Sequence, residues 1–234
     1  MTLPELEKIE THFDFQYPAL YRQLSQDDML YNGVLAPNWY EVEYPKYRLN
    51  PPLLLFGNDF ELLYPDTIVA KINSFSDPDE WEISSDYRFI PFGSSGGGDL
   101  YCFYLNGQQG DDIPVVFVSF YSSEVTYLAK NLQDFIFRNM LEAVTDPYLE
   151  DVSEANFMQD IRNMLHTHSK YLSPKQQEIV SGIYARALFS YEHQIQPNGK
   201  TFTYRGLLTY DELATIVHAE IAFPELDQEF YAEE

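Results

Sequence analysis

The sequence predicts an α+β fold in which an antiparallel, meander-like sheet is flanked by helices and followed by a mostly helical C-terminal extension. Three observations predict this arrangement. Apolar residues recur at helical spacing before residue 25. Between residues 89 and 128, short apolar runs are separated by glycine-rich or polar turns, a pattern typical of neighbouring antiparallel strands. Beyond residue 145 helical patterns return and strand patterns nearly vanish, so helices and strands are segregated along the chain.

Two short helices are predicted at the N-terminus. Residues 2–5 (Thr-Leu-Pro-Glu) have the spacing of a capping box with a proline in the first turn. Apolar residues follow at helical intervals: Leu6, Ile9 and Phe13, then Tyr17, Leu20, Tyr21 and Leu24. Residues 34–50 mix prolines, aromatics and charges without a period, and predict a loop with short extended pieces. Residues 53–56 and 62–63 predict short strands or turns, and residues 67–72 fit either a strand or a helix.

A glycine-rich stretch separates the first two long strands of the predicted sheet. Two apolar runs, 89–92 and 100–105, are joined by residues 93–99, which predicts strand, tight turn and strand. The alternative is a phosphate-binding loop, but the lysine, the hydroxyl and the helix start of such a loop are missing. A structural role is therefore predicted for Gly93, Gly96, Gly97, Gly98 and Asp99. Asp99 is expected to accept hydrogen bonds from amides of its own turn.

The predicted sheet continues with a polar connection at residues 106–112 and strands at 114–120 and 124–128. Asn131 is the expected N-cap of a helix with one apolar face. Residues 145–147 (Thr-Asp-Pro) mark a predicted boundary between an α+β domain of residues 1–145 and an extension of residues 146–234. The extension is expected to pack on the first domain, and the alternative is that it holds a second small domain. Helices are expected in the extension at about 157–165, after the capping box of Ser173, and after that of Thr209. The apolar face of the middle helix is expected to reach Ala187 and Leu188.

The net charge of the chain, 14 − 37 = −23, limits the partners that it can have. The acidic residues are spread along the whole chain rather than gathered in one tail. The negative electrostatic field of these residues repels nucleic acid and anionic membranes and speeds the association of a basic partner. A protein partner with a basic surface is therefore expected, and binding to nucleic acid or membrane is not. Solubility alone is the competing explanation of the charge.

Two acidic segments are the candidate partner-binding sites. The first comprises Asp77, Asp79, Glu80, Trp81 and Glu82, an acidic loop that carries one large ring. The second is the pair Asp111 and Asp112. The alternative for both is a solvated acidic face without a partner.

No pattern in the chain predicts an enzyme, a cofactor or a metal site. Cys102 is a lone cysteine inside an apolar run, which predicts a buried thiol in a reducing compartment. His166 and His168 are two residues apart on a predicted helix, so their side chains diverge and share a metal poorly; a helix-end cation that interacts favourably with the helix dipole is the simpler expectation. The N-terminus lacks the pattern of a signal peptide, and no run of 18 apolar residues occurs, so a cytoplasmic location is expected.

Four stretches carry a family resemblance that covers about residues 3–140. They are the N-terminal helix, residues 90–103 (IPFGSSGGGDLYCF), residues 114–118 (PVVFV), and residues 124–129 (EVTYLA) with the helix that follows at 131–137. Together they resemble the SUKH superfamily, in its branch of Smi/Knr cell-wall-assembly-regulator-like proteins. The long helical tail is not part of that pattern.

The resemblance implies an α+β fold with an antiparallel sheet flanked by helices. For bacterial members it implies an immunity role, in which the protein binds and neutralises a toxin, often a nuclease. For fungal relatives it implies a signalling scaffold, which is the alternative expectation for this chain. Both roles are non-enzymatic. A nuclease needs basic surface to hold phosphates, and an acidic inhibitor is suited to cover that surface.

Overall fold

The computed structural model describes residues 1–34, 36–77, 80–81, 83–120, 122–147, 149, 152–194 and 199–233. The helices are α1 (Leu3–Phe13), α2 (Ala19–Gln26), α3 (Trp39–Val42), α4 (Tyr44–Tyr47), α5 (Pro65–Ser74), α6 (Leu132–Glu142), α7 (Glu154–His168), α8 (Pro174–Tyr184) and α9 (Tyr210–Glu220). The strands are β1 (Glu61–Leu62), β2 (Phe89–Ser94), β3 (Leu100–Tyr104), β4 (Val115–Val118), β5 (Glu124–Ala129), β6 (Phe189–Gln194), β7 (Thr201–Gly206) and β8 (Glu229–Tyr231).

The main sheet is the predicted antiparallel meander. Its strand order is β1-β2-β3-β4-β5-β8, and every neighbouring pair is antiparallel. The α+β fold class is therefore confirmed. In β2 the pairing skips from Pro91 to Gly93, so Phe92 is an extra residue that bulges the strand.

The helix starts follow the predicted capping residues. Asn131 accepts a hydrogen bond from the N–H of Asp134 at 3.0 Å. Ser173 and Thr209 each complete a capping box at the start of α8 and α9. These caps satisfy backbone donors that would otherwise lack a partner at the helix start.

Both faces of the central strands are buried. On one face Phe103 packs against Phe92 and Tyr21, with 4.5 Å and 5.3 Å between ring centroids. On the same face Tyr101 packs on Phe135 of α6 at 5.4 Å. Helices α2 and α6 thus cover this face, and much of the high aromatic content is core.

The opposite face is covered by the segment between α5 and β2, and the ring of Phe230 from β8, a strand of the same sheet, packs on this face. Tyr104 contacts Phe89 at 5.1 Å and Phe230 of β8 at 5.5 Å between centroids. Trp81 is 3% exposed and packs on Phe75 at 5.3 Å. The sheet is therefore enclosed between two apolar layers.

The residues after 145 complete the fold. Strand β8 pairs with β5 and closes that edge of the sheet, with Val125 opposite Phe230. The Tyr184 hydroxyl donates to the Met140 carbonyl at 2.8 Å, which fixes α8 on α6. One continuous apolar core contains side chains from both sides of residue 145. The division into an α+β domain and an extension therefore stays a prediction.

Several local predictions need correction. The segment predicted as a loop with extended pieces contains the short helices α3 and α4, and the ambiguous residues 67–72 belong to helix α5. Helix α8 ends at Tyr184, so Ala187 lies outside it and is exposed. The sequence patterns missed β8 and the hairpin of β6 and β7, whose exposed, polar strands lack an apolar run. No helix within the described ranges is long and apolar enough to cross a membrane.

Candidate functional site

The floor of the candidate site is the segment 53–62, which carries no regular structure apart from the first strand. The N–H of Leu54 donates to His168 Nε2 at 2.9 Å. Asn139, fully buried on α6, accepts from the N–H of Asn58 and donates to its carbonyl, both at 3.0 Å. The carboxylate of Asp59 accepts from the N–H of Gly96 at 2.8 Å. These buried and turn contacts hold the floor segment in one conformation.

One wall of the site is aromatic and consists of helices α3 and α4. Trp39 donates its indole N–H to the Asn32 carbonyl at 2.8 Å. Its ring lies 5.1 Å from Tyr40 and 5.8 Å from Tyr44 between centroids. Tyr40 is 77% exposed. We call Trp39, Tyr40 and Tyr44 the aromatic wall.

A second wall is the start of α7, which contributes Phe157, Asp160 and Ile161. Arg48, just after α4, binds Asp160 of α7 through two nitrogens, at 2.6 Å and 3.3 Å. Asn163 also donates to the Arg48 carbonyl at 2.9 Å. Asp160 is only 4% exposed, and its charge is compensated by the guanidinium. This ion pair joins the segment after α4 to α7.

Floor and walls enclose two adjoining basins, which together we call the groove. The larger basin has a volume of about 540 Å³ and lies between the floor and the aromatic wall. The smaller has a volume of about 280 Å³ and lies between the floor and α7. Tyr44, Gly57 and Asp59 line both basins. Segments from both sides of the predicted boundary at residues 145–147 therefore contribute to one concave surface.

The groove carries negative charge without a matching cation. Asp59 and Glu61 line the larger basin and Asp146 lines the smaller, and all three are exposed. Within the described ranges, none of the three forms an ion pair. Partial burial raises the pKa of Asp146. A cationic partner would remove this cost by pairing with the carboxylates.

Lys46 and Arg48, the two cationic side chains close in sequence to the aromatic wall, already form ion pairs within the chain. Lys46 binds Glu43 at 2.8 Å, and Arg48 binds Asp160. Burial raises the pKa of the Tyr44 hydroxyl, and the nearby charge of Asp160 adds to that rise. Tyr44 is thus a neutral ring at physiological pH, as a stacking surface requires.

The glycine turn supports the groove from behind. Gly98 has a φ of +92°, which requires a glycine. The turn amides of Gly97 and Asp99 donate to the Ser95 hydroxyl, at 3.1 Å each. Asp99 instead accepts from Ser95 and from the N–H of Phe120, so the expectation that it serves its own turn's amides is corrected.

Gly93 has a different role, because a Cβ there would overlap the Phe60 ring of the floor segment. The absence of a side chain lets Phe60 lie between the sheet and the larger basin. The turn therefore shapes the groove through Phe60 and Asp59.

The acidic segments singled out from the sequence lie elsewhere. Asp77 and Glu80 are exposed between α5 and β2, whereas the Trp81 ring is buried and cannot touch a partner in this conformation. Asp79 and Glu82 lie outside the described residues. The Trp81 ring packs on Phe75 at 5.3 Å and on Phe120 at 5.0 Å between centroids, so it is part of the core of this region.

The second acidic segment lies between β3 and β4. Asp112 binds Lys130 at 2.8 Å and accepts from Asn131 at 2.7 Å. Burial acts to raise the pKa of Asp112, but the hydrogen bonds and charge of these partners outweigh it and the pKa is lowered. The carboxylate of Asp112 is therefore already paired with Lys130, whereas Asp111 is exposed.

Two groups with potential chemistry are buried. Cys102 is fully buried, and burial raises the pKa of its thiol. Burial also lowers the pKa of His168 to about 4. Since its Nε2 accepts from Leu54, Nδ1 carries the proton and donates to the Met164 carbonyl at 2.9 Å. His168 is therefore a neutral core residue, and the expectation of a helix-end cation is wrong for it.

Within the described ranges, no group of three or more histidine, cysteine or acidic side chains could hold a metal ion. The groove residues were missed because the segment 31–50 has no periodic pattern, although its density of tyrosines was a signal.

No curated protein and no solved structure matches the chain significantly. The family model described as SMI1 / KNR4 family (SUKH-1) matches residues 1–138, more than half of the chain. With its antiparallel sheet and N-terminal helices, the chain belongs to the SMI1 / KNR4 family (SUKH-1).

Proposed function

We propose that this chain is an intracellular immunity protein, which binds a toxin domain stoichiometrically and thereby neutralises it. Membership of the SUKH-1 family supports a protein-interaction module in general. The observation that carries the proposal is the groove, an aromatic surface with exposed carboxylates that form no ion pair with any described residue. Exposed aromatic rings are the side chains that protein interfaces use most as anchors.

The charge of the chain supports a toxin with a basic surface, such as a nuclease. A nuclease holds phosphates with lysine and arginine, and these side chains are complementary to a chain of net charge −23. Long-range attraction accelerates the encounter, and the groove supplies short-range contacts. Binding over the phosphate-contacting surface would block access of nucleic acid to the toxin.

We also propose that the chain acts by binding and not by catalysis. The thiol of Cys102 is fully buried and its pKa is raised, so a reactive thiolate is disfavoured. His168 is fully buried and hydrogen-bonded through both ring nitrogens. Both groups are better explained as parts of the core than as catalytic groups.

The experiment is calorimetry of the full chain with the toxin domain encoded by the neighbouring gene, together with the toxin's own activity assay. We expect a complex of one chain per toxin, loss of toxin activity at equimolar ratio, and an association rate that falls as salt rises. A toxin that stays fully active at low salt in excess of this chain would overturn the proposal. Capture of a partner that is not a toxin through the same groove would favour the alternative, a regulatory scaffold of the Smi/Knr type.

A further inference from the structure

We propose that the larger basin of the groove receives an arginine side chain of the bound partner. This inference rests on the proposed function, because it assumes that the partner is a protein. It adds the chemistry that the groove recognises. Two sets of residues carry it, the aromatic wall and the carboxylates of Asp59 and Glu61, which line the same basin.

The aromatic wall has open ring surface. Trp39 and Tyr40 are packed edge to face, with an interplanar angle of 88°, so the two rings do not cover each other's faces by stacking. Tyr40 is 77% exposed although it is a large ring. A cation above an aromatic face is attracted by the ring quadrupole, most strongly for tryptophan.

The carboxylates of Asp59 and Glu61 line the same basin as the aromatic wall. Asp59 has one oxygen held by the Gly96 N–H at 2.8 Å, which fixes the carboxylate on the floor. Glu61 is exposed on β1, while its neighbour Leu62 is buried. Neither carboxylate has a cationic partner among the ion pairs of the described chain. The basin is thus complementary in charge to a basic side chain.

Arginine fits this combination better than lysine. Its planar guanidinium stacks on aromatic rings and binds a carboxylate through two parallel hydrogen bonds. Lysine is a compact and strongly hydrated point charge that cannot stack. A volume of about 540 Å³ lies within the range of clefts that bind small ligands, so the basin admits a long side chain with its adjoining backbone.

The test is a nuclear magnetic resonance titration of the full chain with three blocked tripeptides, which carry arginine, lysine or uncharged citrulline between two glycines. The chain has two tryptophans, and the indole signal of Trp39 reports the basin while that of buried Trp81 is the internal reference. We expect the arginine peptide to shift the Trp39 signal saturably. The lysine peptide should bind about fivefold more weakly, and the citrulline peptide should cause no shift.

The variant Glu61→Gln removes one carboxylate of the basin. Its control is Glu80→Gln, which removes an exposed carboxylate between α5 and β2, outside the groove. We expect Glu61→Gln to weaken arginine binding about fivefold and Glu80→Gln to leave it unchanged. Far-ultraviolet circular dichroism verifies that both variants are folded. Equal shifts with arginine and citrulline, or no effect of Glu61→Gln, would overturn the inference.

The two proposals fail separately. If the arginine peptide binds as expected but no toxin is neutralised, the proposed function is wrong and the basin's chemistry stands. If a toxin is neutralised while Glu61→Gln retains full affinity for it and the peptide does not bind, the function stands and arginine recognition in this basin is wrong.

Discussion

The buried His168 makes a quantitative prediction about the pH dependence of stability. In the folded chain its pKa is about 4, compared with an ordinary value of 6.5. Between these two pH values the unfolded chain binds a proton that the folded chain excludes, so stability falls as the pH falls through this window. The contribution is fully present above pH 6.5 and is lost by about pH 4. At 1.36 kcal/mol per pKa unit the whole loss is about 3 kcal/mol.

The perturbation is a change from pH 7.5 to pH 5.0, which stays above the sequence pI of about 4.3. Over that interval the two pKa values give a loss of about 2 kcal/mol in the free energy of unfolding. The assay is urea denaturation at both pH values, followed by circular dichroism and fitted to two states. Burial also lowers the pKa of the Met1 amino group and raises the pKa of Asp134 and Asp146, so the share of the imidazole has to be isolated by a variant.

The variant His168→Gln isolates the effect. Glutamine offers a neutral acceptor for Leu54 and a donor for Met164, and it does not titrate. We expect the variant to lose stability at pH 7.5 but to lack about 2 kcal/mol of the pH dependence. His166→Gln, exposed two residues earlier on α7, should keep the wild-type dependence. Identical pH dependence in wild type and His168→Gln would refute the role given to this residue.

Two further predictions concern the turn and the C-terminal segment. Gly98→Val should lower the free energy of unfolding by about 2 kcal/mol, because a β-branched residue resists a φ of +92°. Gly97→Val, where φ is not in the left-handed region, should cost less, and equal urea midpoints for the two would contradict this ranking. Arg138→Met should cost about 2 kcal/mol, because it breaks the bonds of a largely buried guanidinium to Glu142 at 2.7 Å and to Asp227 at 2.6 Å. If urea denaturation shows that Arg138→Met lowers the free energy of unfolding by less than ~0.5 kcal/mol, the ion pairs of Arg138 contribute no more than ordinary surface pairs.

The parts of the fold that were predictable from sequence have local causes. The helix start at Asn131 depends on a cap and an apolar stripe within a few residues of each other. The strands on either side of the Gly96–Gly98 turn depend on two apolar runs and three glycines. In both cases the determining residues are neighbours in sequence, so the pattern is visible without the fold.

The parts that were missed depend on contacts between distant segments. Strand β8 is short and mostly exposed, and it forms because the edge of β5 offers it hydrogen bonds. Trp81 follows acidic residues, yet its ring is drawn into the core by Phe75 and Phe120. Burial of this kind is decided by tertiary packing and leaves no local signal.

The candidate site could not be assembled from sequence for the same reason. Its residues come from three segments, 32–44, 55–62 and 143–161. The segment with the aromatic wall was recognised as rich in aromatics, but its helices are single turns too short for a periodic pattern. Net charge correctly indicated an excess of acid, but which carboxylates remain unpaired depends on the ion pairs of the folded chain.

The most direct measurement compares Tyr40→Ala with Tyr231→Ala by calorimetry against the toxin domain. Tyr40 is 77% exposed in the aromatic wall, and Tyr231 is 58% exposed on β8, outside the groove. Both variants remove one exposed ring and should leave stability nearly unchanged. If the groove binds the partner, Tyr40→Ala weakens affinity by about 30-fold, as for an anchoring ring, and Tyr231→Ala by less than about twofold. Unchanged affinity for Tyr40→Ala, with or without a loss for Tyr231→Ala, would show that the partner binds elsewhere.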